Sequence, residues 1–315
     1  MSWALTFPGQ GSQAVGMGVA LKDNFAAARA VFEEVDDALS QNLSGLMADG
    51  PEDELTLTEN AQPALMAVSM AVTRVLESEG GFALTDKAAY VAGHSLGEYS
   101  ALAAAGTFSI SDTARLLKIR GQAMQAAVPV GEGAMAALLG LSLEQAQAAA
   151  DAAAAGGAVC SAANDNADGQ VVISGTKAAV EKACELAKEA GAKRAMLLQV
   201  SAPFHCALMQ PAADRMADAL GEVSMNNPSV PLIANVTAAP VTEAEEIRRL
   251  LVEQVTGMVR WRESVLGMAP LGVTNLAELG AGKVLTGMVR RINKELSAVA
   301  VNGPDDIAGF LEQLG

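Results

Sequence analysis

The chain has 315 residues, 51% of them apolar, enough to bury a sizeable core in one large domain or in a domain carrying an insertion. Acidic residues outnumber basic ones, 36 to 21, and the net charge of −15 opposes attraction to phosphates or anionic lipid, so neither nucleic acid nor membrane is an expected partner. The start lacks a basic region ahead of an apolar run, and no window approaches the roughly 20 apolar residues of a membrane span, which predicts a cytoplasmic chain.

The first element is an apolar run leading into a glycine-rich turn, LTFPGQGSQAVG from Leu5. Gly9, Gly11 and Ala14 match the G-x-G-x-x-A dinucleotide fingerprint, but Glu33 and Glu34, about 20 positions on, lie in a helical pattern where that site needs an acid ending a second strand. Helices are predicted over Ala26 to Leu39 and over Ala61 to Leu76. AAYVAGHS then reads as a buried strand, and LGEYSALAAAG as a buried helix.

Between that strand and helix, Gly93-His94-Ser95-Leu96-Gly97 fits G-x-S-x-G, with the strand-turn-helix context a nucleophilic serine needs. The glycines leave room for a sharp turn, and the helix N-terminus favours negative charge developing beside the serine. Next, in DTARLLKIRGQAMQA, Arg120 shares the apolar face of a helix with Leu116, Leu117, Ala123 and Met124. A buried guanidinium needs an anion, either an internal carboxylate or the carboxylate of a ligand.

Residues 129–199 follow as β-α-β-β-α-β. The strands are predicted at Gly133 to Leu141, AVCSAAN, QVVISG and RAMLLQV, with NDNADG as a turn and with Ser142 and Thr176 capping the two helices. This unit looks like a small domain inserted into a larger α/β body made of 1–128 and 200–315, and its two joints would frame a cleft.

Serine needs a base, and the chain contains two histidines. His94 adjoins Ser95 on a tight turn and points elsewhere, so elimination leaves His205, in SAPFHCALM, where the chain re-enters the larger body; a purely structural histidine is the alternative. Carboxylates between the two belong mostly to the small domain, such as Asp151, Glu181, Glu185 and Glu189, and none follows a strand of the larger body, so a backbone carbonyl is the simpler partner for the histidine. Cys206 beside His205 is a weaker nucleophile candidate, because neighbours in sequence rarely face one another. With Cys160 and Cys184 it makes three thiols without C-x-x-C spacing, so neither a disulfide framework nor a metal site is expected. GAGKVLTG fails as a phosphate loop, because Val284 follows the lysine where Ser or Thr should stand.

PGQGSQ, AQPAL, GHSLGEYSAL, RGQAMQ, the HC pair, VRW and GKVLTGMVRRI occur in this order, and together they resemble the malonyl-CoA:acyl carrier protein transacylases of fatty acid synthesis over nearly the whole chain. The resemblance implies an α/β-hydrolase-like large domain with an inserted ferredoxin-like small domain. It implies a malonyl-Ser95 intermediate, His205 as base and acid, and an oxyanion hole from the Gln10 and Leu96 amides. Arg120 would hold the malonyl carboxylate, with Met124 and Phe204 also in the substrate site, and the Gln254 carbonyl would orient His205. It implies malonyl-CoA and an acidic acyl carrier protein as substrates and partners, no bound cofactor, and a chain working as a monomer. Candidate carrier-binding groups are Lys188, Lys193 and Arg194, or Arg290, Arg291 and Lys294. Asp168 and Ala281 stand where the family usually has proline. A thioesterase with the same dyad, or a non-catalytic carrier-binding module, are the competing readings.

Overall fold

The computed structural model describes residues 2–315 as a mixed α/β protein with two sheets. Ten strands are described: β1 (Trp3–Phe7), β2 (Ala88–Gly93), β3 (Gly133–Leu139), β4 (Cys160–Ala167), β5 (Gln170–Thr176), β6 (Arg194–Leu197), β7 (Leu232–Ile233), β8 (Pro240–Val241), β9 (Asn275–Leu279) and β10 (Ser297–Val301). The larger sheet has the order β10-β9-β1-β2-β7-β8 and is parallel except for β8.

Its central strand β1, WALTF, is buried at every position, as a strand covered on both faces must be. Phe7 registers with Gly93 and Thr6 with Glu278, so β1, β2 and β9 end together. The Pro8–Gly11 loop, the Ser95 turn and the Gly280–Lys283 turn therefore leave the same edge of the sheet, the usual location of ligands in such sheets.

Helix Thr58–Gly80 is apolar nearly all round and packs against helices Ala26–Leu39 and Ile110–Ala127. It outruns the predicted Ala61–Leu76 at both ends, starting through Thr58 and Asn60, whose polar side chains are buried and hydrogen-bonded. The predicted Ala26–Leu39 helix has the same bounds in the structure.

The second sheet, β4-β5-β3-β6, is antiparallel throughout and carries helices Leu143–Ala153 and Lys177–Glu189 in β-α-β-β-α-β chain order. Alternation decides which way its side chains go. Ala136, Leu138 and Ile173 join the core under the two helices, whereas Met135 and Val172 join the core of the larger sheet. Ser142 forms the predicted cap, completed as a capping box by Gln145. Thr176 stands at the N-terminus of the second helix but makes no side-chain cap.

NDNADG departs from the predicted turn, because β4 continues through Ala167 and leaves only Asp168 and Gly169 as the hairpin. The polar residues are strand because they are stapled to the larger body. Val259 donates to the Ala163 carbonyl at 2.9 Å and accepts from the Asp165 amide at 3.0 Å, and the buried Asp165 carboxylate receives Arg262 Nε at 2.9 Å. A turn-forming composition yields here to long-range pairing.

The G-x-S-x-G turn has no room for side chains at its glycines. A Cβ at Gly97 would stand 2.2 Å from the Phe7 carbonyl oxygen, and one at Gly93 would stand 1.9 Å from the Gly97 carbonyl carbon. Gly97→Ala is therefore expected to lower unfolding stability by about 3 kcal/mol or more in urea titration. Gly287→Ala is the control, at an exposed position of helix Val284–Ile292 where nothing outside the helix's own backbone lies within 4 Å of the added methyl. It should be neutral or stabilising by up to about 1 kcal/mol, and equal losses from both variants would refute the steric account.

Candidate active site

Ser95 follows the last residues of β2 with φ of 54°, in the left-handed region that disfavours side chains. That conformation is held from both sides. Its amide donates to Asn235 Oδ1 at 2.8 Å, its carbonyl accepts Gln254 Nε2 at 2.9 Å, and Asn235 Nδ2 ties back to the Gly93 carbonyl at 2.7 Å. The turn so formed raises the hydroxyl over the start of helix Gly97–Ala104, into a cleft of about 340 Å³ between the two sheets.

His205 meets it there. Ser95 Oγ donates to His205 Nε2 at 2.8 Å, and His205 Nδ1 donates to the Gln254 carbonyl at 2.9 Å and the Gly257 carbonyl at 3.1 Å. Because carbonyls only accept, Nδ1 carries the proton and Nε2 is left to accept one. His205 is also left-handed, with φ of 58°, in the irregular stretch after β6. Burial, then the nearby Arg120 cation, push its pKa down from the ordinary 6.5 to about 3, against the two carbonyls that favour the charged form.

Arg120 is 1% exposed and makes no ion pair among the described residues. Its Nη1 donates to Gln62 Oε1 at 2.7 Å, and its Nη2 donates to Gln254 Oε1 at 2.8 Å and to Ser95 Oγ at 3.2 Å. All three acceptors are neutral, and Nε has no partner. Of the two anions open from the sequence, the internal carboxylate is not in contact. The guanidinium thus lies beside the serine with donors in excess of acceptors.

Gln10, Leu96, Met124 and Phe204 line the same cleft. The Gln10 side chain is anchored by Thr58 Oγ1 at 3.1 Å, and the backbone amides of Gln10 and Leu96 have no acceptor among the described residues. Met124 Sδ accepts Gln62 Nε2 at 3.8 Å. Gly9 allows the loop to press on His94, since a Cβ there would be 2.7 Å from the His94 carbonyl oxygen. His94 itself turns away from Ser95 and donates from Nε2 to Asn166 Oδ1 at 2.8 Å. Cys206 donates its thiol to the Pro203 carbonyl at 3.2 Å, and burial raises its pKa, so it is no nucleophile beside His205.

A family model described as acyl transferase domain matches residues 5–306. The chain belongs to this family. The acyltransferase is 46% identical over 311 residues to the malonyl CoA-acyl carrier protein transacylase of Bacillus subtilis (strain 168), covering 99% of this chain and 96% of the relative. It is 47% identical over 310 residues to the protein of that name from Escherichia coli (strain K12), covering 98% and 99%. The crystal structure of acyl-carrier-protein-S-malonyltransferase from Bartonella henselae superposes with a TM-score of 0.97 at 59% identity over 100% of both chains. A malonyl-transacylase in complex with its type II PKS acyl-carrier protein superposes with a TM-score of 0.95 at 45% identity, covering 99% of this chain and 100% of that one.

Four polar residues around the acyltransferase site were not singled out from the sequence: Gln62, Glu98, Asn166 and Asn235. Glu98 carried a usable signal, a lone charge in the apolar helix LGEYSALAA, the same anomaly that marks Arg120. The amides carried none, because Gln and Asn at scattered positions acquire meaning only when the fold gathers them.

The depressed pKa of His205 leaves Nε2 unprotonated through mild acid. Inactivation of Ser95 by a serine-directed phosphonofluoridate is expected to keep its rate from about pH 7 to about pH 5, where an ordinary histidine would have lost more than about tenfold. A fall with its midpoint at the ordinary 6.5 would contradict this assignment.

Proposed function

We propose that the chain moves a malonyl group from malonyl-CoA to the phosphopantetheine thiol of acyl carrier protein through a malonyl-Ser95 ester, supplying fatty acid elongation. The observation that carries this reading is Arg120, a buried cation with only neutral partners at hydrogen-bond distance from the nucleophile candidate. A malonyl group is an acyl group whose far end supplies the missing carboxylate. The names of the full-length relatives support the same substrates.

In the first half-reaction His205 Nε2 takes the Ser95 proton as Oγ attacks the thioester carbonyl. The oxyanion is held by the Gln10 and Leu96 amides, each such donor being worth about 10²–10³ in rate. Collapse breaks the C–S bond, and coenzyme A leaves with the proton that His205 returns. In the second half the carrier thiol gives its proton to His205 and attacks the ester, and Ser95 recovers its proton as leaving group. The Gln254 and Gly257 carbonyls hold the imidazole in the tautomer both halves need, a task that an acid performs in hydrolases. No step requires a bound cofactor.

We assign the larger sheet and its helices, 1–128 and 200–315, to an α/β-hydrolase-like domain, and 129–199 to a ferredoxin-like one. The parallel strands feeding the Ser95 turn and the β-α-β-β-α-β order support this division. One chain supplies every group of the site, in keeping with a monomer, and the composition favours the cytoplasm. Phe204 and Met124 bound the acyl end of the cleft by packing.

Incubation with malonyl-CoA, followed by intact mass, should show a malonyl adduct that Ser95→Ala abolishes and carrier protein discharges. Rapid loss in buffer alone would instead make the chain a thioesterase. Arg120→Ala should lower malonyl loading by at least about 100-fold and narrow the preference over acetyl. Equal malonyl loading by wild type and Arg120→Ala would remove Arg120 from the site.

Helix Val284–Ile292 lines the cleft through Val284, Leu285 and Met288 and ends in the exposed Arg290 and Arg291. This continuity favours that pair over Lys188, Lys193 and Arg194 for contact with an acidic carrier. Reversing both charges should raise the apparent KM for carrier severalfold without changing that for malonyl-CoA, and an unchanged carrier KM would exclude them.

A further inference from the structure

Behind Ser95 lies a carboxylate that the mechanism above does not use. Glu98 is 1% exposed and belongs to the helix that starts at the G-x-S-x-G turn. One of its oxygens accepts the Asn235 amide at 3.3 Å, and the other accepts Gln254 Nε2. Gln254 Nε2 also donates to the Ser95 carbonyl, while Gln254 Oε1 accepts Arg120 Nη2. One amide group therefore stands between the buried Glu98 carboxyl, whose pKa burial raises to about 7 against the opposing pull of its hydrogen bonds and of Arg120, and the buried cation.

A primary amide can sit in either of two orientations related by a flip, and its neighbours choose between them. The Glu98 carboxylate and the Ser95 carbonyl are both acceptors, so they demand the NH2 end. The guanidinium is a donor and demands the oxygen. A flipped Gln254 would set two lone-pair groups against its oxygen and N–H against N–H at Arg120. The interposed amide also keeps Glu98 from pairing with Arg120 directly, which would spend guanidinium donors on an internal partner.

We propose that Glu98 is a positioning residue for acyl selection: by fixing the orientation of the Gln254 amide, it holds Arg120 aimed at the acyl site with donors free for a substrate carboxylate. The inference rests on the malonyl-transfer reading. Glu98 acts through Gln254, so replacing its carboxyl, which accepts Gln254 Nε2, harms the substrate that uses Arg120 and spares one that does not. The Gln254 backbone carbonyl, which holds His205, is a separate group of the same residue.

The test compares kcat/KM for Ser95 acylation by malonyl-CoA and by acetyl-CoA in four full-length proteins: wild type, Glu98→Gln, Gln254→Met and the double variant. Met keeps the backbone carbonyl and the side-chain length but removes the amide. Glu98→Gln is expected to lower the malonyl-to-acetyl ratio about tenfold, almost wholly through malonyl, and Gln254→Met to lower it similarly. In the Gln254→Met background the Glu98 substitution should no longer change the ratio. Equal losses for both substrates, or the same ratio change in both backgrounds, would overturn the proposal. If Glu98→Gln does not fold, Glu98→Asp, which keeps the charge and withdraws the carboxylate, is read in the same two backgrounds against the same outcomes. Failure of wild type to accept malonyl at all would overturn the functional reading itself, a result distinct from an unchanged ratio.

Discussion

The structure turns on a buried guanidinium that pairs with no carboxylate among the described residues. Desolvating Arg120 is costly, and burial draws its pKa down, yet the fold surrounds it with the oxygens of Gln62, Gln254 and Ser95 in place of an acid. Such an arrangement is poor as a stabilising contact. It is sensible as a site kept partly unsatisfied, in which the best partner is brought by a ligand. Helix Ile110–Ala127 can deliver the charge so deep because Gly121, next to it, lets the helix approach closely. A Cβ there would lie 2.4 Å from the Glu59 Cα.

The same economy governs the proposed nucleophile and its proposed base. Both Ser95 and His205 have left-handed backbones, an unfavourable conformation for either residue, and both are over-determined by hydrogen bonds from Asn235, Gln254 and Gly257. Gln254 is common to all of this. Its carbonyl orients His205, while its side chain reaches Arg120, Ser95 and Glu98. Ser95, His205 and Arg120 are therefore coupled through a single residue of helix Ala244–Thr256.

Much of this was legible beforehand, for reasons that differ from element to element. The helices with strong periodicity, Ala26–Leu39 above all, were readable because burial on one face dictates residue spacing. Ser95 was readable because a tight strand-to-helix turn has a glycine requirement that sterics enforce, and His205 because only one other histidine competed. β4 misled because its Asn and Asp side chains have the composition of a turn. Arg262 and His94 compensate the buried side chains of Asp165 and Asn166, and Val259 pairs with the strand's backbone, all far away in sequence. Glu98 escaped because the carboxylate sought was one that could touch His205, whereas this one reaches the site through an amide.

The opening PGQG loop shows how one pattern serves different chemistry in different surroundings. In a dinucleotide site, glycines admit a phosphate to a helix N-terminus. Here Gly9 admits the His94 carbonyl, so the loop packs onto the Ser95 turn, and the Gln10 side chain is tied to Thr58 Oγ1. With its side chain anchored in this way, Gln10 has a backbone amide with no acceptor among the described residues, lining the cleft with the Leu96 amide, equally free among them. Two unpaired amides and one underpaired guanidinium in a single cleft are three incomplete hydrogen-bonding groups that a folded core would ordinarily satisfy. In the proposed reaction a malonyl thioester would complete them in sequence, its carboxylate on Arg120 and its carbonyl oxygen, once negatively charged, on the amides. The groups left wanting in the free protein are those the proposed reaction needs.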